Sequence, residues 1–116
     1  VLTPVADLNW EIGGASDYSG DGKPDILWRN KASGANSVWI MNGTAFSSSV
    51  VLTPVADLNW EIGGASDYSG DGKPDILWRN KASGANSVWI MNGTAFSSSV
   101  VLTPVADLNW EIGGPR

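Results

Sequence analysis

Neither cysteine nor histidine occurs anywhere in the 116 residues. Without cysteine there is no disulfide, no thiolate nucleophile and no cysteine-held zinc or iron. Without histidine there is no imidazole base, no Ser-His or Cys-His pair and no typical zinc or copper site. Basic residues are scarce as well: seven Lys and Arg stand against twelve Asp and Glu, for a net charge of −5. Each fifty residues hold only Lys23, Arg29 and Lys31, recurring as Lys73, Arg79 and Lys81, so the basic footprint that phosphates require is missing and nucleic acid is not an expected partner. No stretch approaches the roughly 18 apolar residues of a helical membrane span, and VLTPVADLNW has neither the basic start nor the apolar run of a signal peptide. The chain reads as soluble, with no membrane partner.

What the sequence does have is a strict repeat. VLTPVADLNWEIGG occurs at 1–14, 51–64 and 101–114, and the segment 15–50 returns without a single substitution at 65–100. The organisation is a partial repeat at 1–14, full repeats at 15–64 and 65–114, and a closing Pro115-Arg116 that breaks the pattern and reads as a cloning remnant. A 42% hydrophobic content with seven Trp argues for a folded chain. A period of about fifty residues points to a solenoid, a propeller or an array, in which one unit buries its apolar face only when neighbours stack on it.

The unit is a strand unit. Each repeat carries six Gly and two Pro, and no apolar stripe of helical spacing survives them. Four runs bounded by turn residues read as strands: 11–18, 24–30, 36–42 and 46–55. Between them lie Asp21-Gly22, the looser Ser33-Gly34 and Asn42-Gly43, with Ala56-Asp57-Leu58-Asn59 leading to the next unit. Each repeat is therefore expected to be a four-stranded antiparallel meander in an all-β chain. Nearly continuous apolar residues, Ile26-Leu27-Trp28 and Val38 to Met41, call for sheets covered on both faces. Four-stranded sheets repeated about an axis make a β-propeller of roughly four to eight blades, and two blades cannot close one.

The string WEIGGASDYSGDGKPDILWRN followed by SVWIMNG resembles the VCBS and FG-GAP-like repeats, the integrin-type β-propeller family, over the whole repeat. The resemblance implies secretion or cell-surface display, although the sequence by itself assigns no compartment. It also implies that the loop between the first two strands of a blade binds calcium through a D-x-[DNS]-x-D-G-x-x-D pattern, here Asp17 to Asp25 and again Asp67 to Asp75. Elementary coordination chemistry agrees: a hard cation of this size takes about six to eight oxygens, and a loop with a glycine at its sixth position can wrap them round one point. The donors would be Asp17, Ser19, Asp21, the carbonyl of Lys23 and Asp25, with Asp67, Ser69, Asp71, the carbonyl of Lys73 and Asp75 in the second copy. Ser19 brings a neutral hydroxyl where a carboxylate or amide is commoner, which weakens the site. Trp28 stands where an EF-hand has its bidentate glutamate, and strands flank the loop, so this is not an EF-hand. The competing account is that the three aspartates cap a tight turn by accepting backbone N–H groups.

The tryptophans Trp10, Trp28 and Trp39 with their copies are expected to pack between blades. The sharper alternative is carbohydrate binding, with rings flanked by Arg29, Asn30 and Asn36 stacking on a sugar, which makes glycans the alternative partner. Asn42-Gly43-Thr44 and its copy at Asn92 match a glycosylation sequon, but the hairpin turn accounts for them fully. An enzyme is not expected, because the one carboxylate cluster has metal-ligand spacing and Asp7 and Glu11 stand as isolated acids.

An unclosed ring leaves strand edges and apolar faces in water. Two blades per chain therefore lead to a cyclic homo-oligomer with head-to-tail contacts, three chains giving six blades or four giving eight. The third VLTPVADLNWEIGG is then surplus to the ring, and one terminal copy is expected on a neighbouring chain. Independently drifting repeats would differ somewhere, so perfect identity means either a very recent duplication or design, and design is the expectation. The expectation is a non-catalytic, calcium-binding, self-assembling scaffold.

Overall fold

A computed structural model of the chain describes residues 5 and 7–112. Pro115-Arg116, read above as a cloning remnant, and most of the outer-strand part of the first copy fall outside the described residues. The rest is all-β: two four-stranded antiparallel meanders, β1(Trp10–Ser16) β2(Asp25–Asn30) β3(Asn36–Asn42) β4(Ala45–Leu52), then β5(Trp60–Ser66) β6(Asp75–Asn80) β7(Asn86–Asn92) β8(Ala95–Leu102). Each sheet has its strands in chain order, the arrangement of a propeller blade. Among the described residues no helix is long and apolar enough to cross a membrane.

The expected strands all form; the third keeps its bounds and the ends of the others move by no more than three residues. The first stops at Ser16 instead of residue 18, because Asp17 turns to cap the following loop. The fourth stops at Leu52 instead of residue 55, where Thr53-Pro54 leads out of the ladder and proline has no N–H to give it. The turn glycines Gly22, Gly34 and Gly43 adopt positive φ in both copies. Gly34 is the most constrained, since a side chain there would meet the carbonyl oxygen of Val55, whose own N–H donates to Gly34 O at 2.9 Å.

The two sheets pack face to face, and the alternation of side chains decides what meets what. Leu27, Val38 and Leu52 of the first sheet join Ile62, Ala65, Ile76 and Trp78 of the second in one apolar cluster that also takes in Tyr18 and Met91. In β2 the odd-numbered Leu27 and Arg29 face forward onto the second sheet; in β6 the even-numbered Ile76 and Trp78 face back onto the first. Both faces of the repeat are thus apolar, as the continuous runs required, and within one chain each sheet has only one face covered by the other.

The innermost strands β1 and β5 approach most closely. Gly13 is the extra residue of a bulge between Ile12 and Gly14, and Ile62 lies directly over it: a methyl built on Gly13 would stand 2.9 Å from Ile62 Cβ. The bulge and the contact together explain why the WEIGGAS strand contains glycine in its middle.

Arg29 joins the blades. Its side chain is buried, and all five guanidinium N–H groups are used. Nε donates to Trp60 O at 2.9 Å, one terminal nitrogen to Gly34 O at 3.2 Å and Asn36 Oδ1 at 3.1 Å, and the other to Val55 O at 3.1 Å and Asp57 O at 3.2 Å. Its other side lies 5.0 Å from the Trp78 ring centre, a cation–π distance. Burial pulls the guanidinium pKa down, against the pull of Glu11 and Asp57, but arginine remains charged at any working pH. Replacing it with lysine would leave several buried carbonyls without donors. Arg29→Lys is expected to cost about 3 kcal/mol in urea unfolding, the order set by orphaned buried acceptors, and Arg79→Lys somewhat less, because Arg79, though nearly as buried, holds four such acceptors and has no indole over it among the described residues.

Candidate functional site: the aspartate loops

Between β1 and β2 the chain makes the loop Asp17 to Pro24, and between β5 and β6 its copy, Asp67 to Pro74. Residues of both loops line a common cleft of about 300 Å³, with Asp17, Tyr18 and Ser19 on one side and Asp67, Gly72 and Lys73 on the other.

Within each loop the aspartates act first on the backbone. Asp17 Oδ1 accepts the amides of Gly20 at 2.8 Å and Asp21 at 3.2 Å, with the Ser19 hydroxyl at 3.4 Å, and Oδ2 accepts the amide of Gly22 at 2.7 Å. Asp21 Oδ1 accepts from Lys23 N at 2.9 Å. The Lys23 ammonium reaches Asn42 at 3.0 Å, bringing the loop to the end of β3. Asp25 is fully buried: Oδ2 takes the amides of Tyr18 and Ser19, and Oδ1 takes Met41 N at 2.9 Å, tying the loop to the neighbouring strand. The second loop repeats these bonds.

The five donors expected from the sequence are therefore split. Asp17, Ser19 and Asp21 lie on the exposed side of the loop, whereas Asp25 points into the blade. Among the described residues no group of three or more acidic side chains converges on one point. The donor chemistry nonetheless suits a hard cation, being all oxygen, and a carboxylate offers about four acceptor directions. Asp17 Oδ2 carries one bond, and Asp21 Oδ2 has none from the described residues. Acceptor capacity thus remains on the outer side of each loop.

The electrostatics follow these contacts. Partial loss of water pushes the Asp17 carboxyl up, but the amides of Gly22, Gly20 and Asp21 and the Ser19 hydroxyl outweigh it and hold the pKa below the usual carboxylate range. At Asp67 the amide of Gly72 is the largest influence and the net shift is again downward. Tyr18 is buried against the second blade, and that burial, with the charge of Asp75, pushes its phenol well up.

The rest of the candidate chemistry is arranged differently from what the sequence suggested. The residues named as flanking a sugar are committed to the fold: Arg29 as described, Asn36 to Arg29 and to Thr53 O, and Asn30 to the amides of Ala32 and Ser33. The tryptophans stack in strings, Trp28 to Trp39 at 5.0 Å and Trp39 edge-on to Phe46 at 4.9 Å, with the same pairs in the second sheet. Glu11, isolated in the sequence, lines a cleft of about 240 Å³ together with Glu61, Glu111 and Arg29. Equivalent positions fifty residues apart become neighbours once inner strands lie side by side.

A strand–aspartate loop–strand unit inside a four-stranded meander is now established twice over. The model of the FG-GAP-like repeat family matches residues 17–78, more than half of the chain. The chain belongs to the FG-GAP-like repeat family. The match starts at Asp17, just after β1, and runs through β2 to β5 into β6, so it covers the first aspartate loop and the Asp67 to Asp75 copy. Comparison with curated proteins and with solved structures gives no match.

The FG-GAP-like loop carries a pH dependence whose sign is fixed by the downward shifts at Asp17 and Asp67. A group with a depressed folded pKa stabilises above its unfolded value, about 3.9, and loses that contribution as pH falls through the folded value. The melting temperature is expected to hold from pH 7 to about 4 and to fall below that, and Asp17→Asn with Asp67→Asn should flatten the acid limb. Asp25→Ala, which orphans three amides in a buried site, is expected to cost about 3 kcal/mol or more at neutral pH, measured by chemical denaturation.

Proposed function

We propose that the chain is a non-catalytic, self-assembling β-propeller scaffold, an engineered array of identical blades with a calcium-binding loop in each. The observation that carries the reading is the inequality between identical blades. Ile12 and Tyr68 are exposed, whereas their sequence twins Ile62 and Tyr18 are buried in the junction between the sheets. Each exposed member has the complement of its partner's environment, so copies of the chain can cover one another's ends. Closed rings of three or four chains would satisfy all of them.

Calcium would be held by the outward donors Asp17, Ser19, Asp21 and the Lys23 carbonyl, with Asp25 fixing the loop, and by Asp67, Ser69, Asp71, Lys73 and Asp75 likewise. What it would supply is charge: two divalent ions cancel all but one of the five net negative charges. The amide bonds to Asp17 favour the loop shape that presents these donors, so binding would add to a fold already formed.

A second reading has one observation in its favour. Each sheet has a tryptophan-walled cleft: one of about 360 Å³ lined by Trp10, Trp28 and Trp39, and one of about 300 Å³ lined by Trp60, Trp78 and Trp89. The buried indole N–H groups of Trp28 and Trp78 find no acceptor among the described residues. The aromatic walls of these clefts suit a sugar, while the two indole N–H groups are sealed from solvent and are not its donors.

Native mass spectrometry with and without calcium is expected to show three or four chains carrying two ions per chain, and chelation to lower the melting temperature. A melting curve indifferent to both calcium and chelator rejects the metal. A glycan array that returns a specific hit moves the function to the second reading.

A further inference from the structure

The two arginines that should be equivalent differ, and the difference marks where another copy fits. Arg79 repeats four of the five hydrogen bonds of Arg29, to Gly84 O, Asn86 Oδ1, Val105 O and Asp107 O. The fifth, the counterpart of Arg29 Nε to Trp60 O, is not made, and among the described residues no indole lies over Arg79 as Trp78 lies over Arg29. Both missing partners have an address in the sequence. The counterpart of Trp60 O is a tryptophan carbonyl on an innermost strand, and the counterpart of Trp78 is the tryptophan of the β2 position. Trp10 and Trp28, at the other end of the chain, are those residues.

The surfaces agree in detail. Arg79 is nearly as buried as Arg29, at 5% against 4% exposure, but it borders a cleft of about 430 Å³ bounded by Leu77, Leu102, Val105, Trp110 and Ile112. Leu102 is 38% exposed against 4% for Leu52. At the opposite end, Ile12 is 56% exposed against 6% for Ile62, and Ala15 is exposed whereas Ala65 is buried. The face that lacks a cover and the face that lacks a seat are the two halves of the junction already present inside the chain.

The seat is partly taken. Ile112 lies over Gly63 as Ile62 lies over Gly13, with the built methyl 2.5 Å from Ile112 Cδ1. Yet residues 110–112 form no strand, and Trp110 is 66% exposed. Residues 7–14 of the N-terminal copy, by contrast, belong to their own blade: Trp10, Glu11, Ile12 and Gly14 pair with β2, and Lys31 N donates to Asn9 O at 2.8 Å.

Resting on the self-assembly reading above, we infer that the Arg79 face docks the Trp10–Trp28 face of a second copy, and that residues 107–112 are a removable cap on that seat. The crossover lies between Val105, held by Gly84 and Arg79 of its own chain, and Asp7, whose carboxylate accepts from Asn30 of its own blade at 3.4 Å. Up to Val105 the docking chain keeps its own segment. From Asp7 onward the second copy supplies its own, with Trp10 O on Arg79 Nε, the Trp28 ring over the guanidinium and Ile12 over Gly63. What is surplus in the C-terminal copy is then its part from Asp107 onward, since Val101 and Leu102 stay in β8 and Val105 stays on Gly84 and Arg79.

The test uses one substitution at two positions of identical local sequence. Ile12→Lys, at an exposed residue, is expected to abolish assembly in sedimentation velocity while leaving the circular dichroism of the chain unchanged; Ala15→Arg on the same face should do the same. Ile112→Lys, and independently a chain ending at Ala106, should lower the concentration at half-assembly by about tenfold, the scale of one partly buried isoleucine released from competition. If Ile112→Lys instead weakens assembly while Ile12→Lys does not, the C-terminal copy is the strand used at the seam and the inference is overturned with self-assembly intact. If the unsubstituted chain and all variants stay monomeric up to millimolar concentration, the self-assembly reading itself falls, and the cap with it.

Discussion

The junction between the blades depends on one guanidinium. Arg29 is the only described residue whose side chain reaches the turn of its own blade, the connector and the first strand of the next blade at once, and it does so with no donor left over. Main-chain carbonyls of a connector that belongs to no sheet would otherwise face an apolar interface without partners, which is costly. Arginine solves this with a planar fork of fixed geometry, and the flat face left free receives an indole. The angle between neighbouring sheets is then set by a hydrogen-bonded pin and not by apolar contact alone, which is non-directional.

The aspartate loops are a second, more local device. Asp25 and Asp17 divide the work: the buried one fastens the loop to β3 through Met41, and the exposed one shapes the turn through three successive amides. The outer carboxylates can carry further chemistry because the inner one already secures the fold. This division explains how a short run of like charges persists on an already acidic chain.

Much of this was legible in the sequence. The fifty-residue period, the Gly and Pro punctuation and the four apolar runs lead to two four-stranded meanders with turns at Gly22, Gly34 and Gly43, and the structure has them. The aspartate spacing leads to the loop. What could not be read is which way each side chain faces: Asp25 looks like Asp17 in the sequence, and only the pleat of β2 sends it inward. Arg29, which the sequence places only as a flank of the tryptophans in the carbohydrate alternative, is the inter-blade pin, because most of its partners are backbone carbonyls that no side-chain pattern records. The gathering of Glu11, Glu61 and Glu111 was equally hidden, since proximity across fifty residues follows from stacking alone.

The unequal tyrosines have a consequence of another kind. Tyr18 and Tyr68 sit in identical local sequences, yet one is sealed at 3% exposure and the other open at 47%. With its ends uncovered the chain gives the positions that occur twice, 15–50 and 65–100, two sets of magnetic and optical environments, so a spectrum of it shows doubled signals. Anything that covers both ends alike merges each doublet, and the number of resonances falls from that of the whole chain towards that of a single blade. The molecule reports its own symmetry, without a label, in the two tyrosines it has.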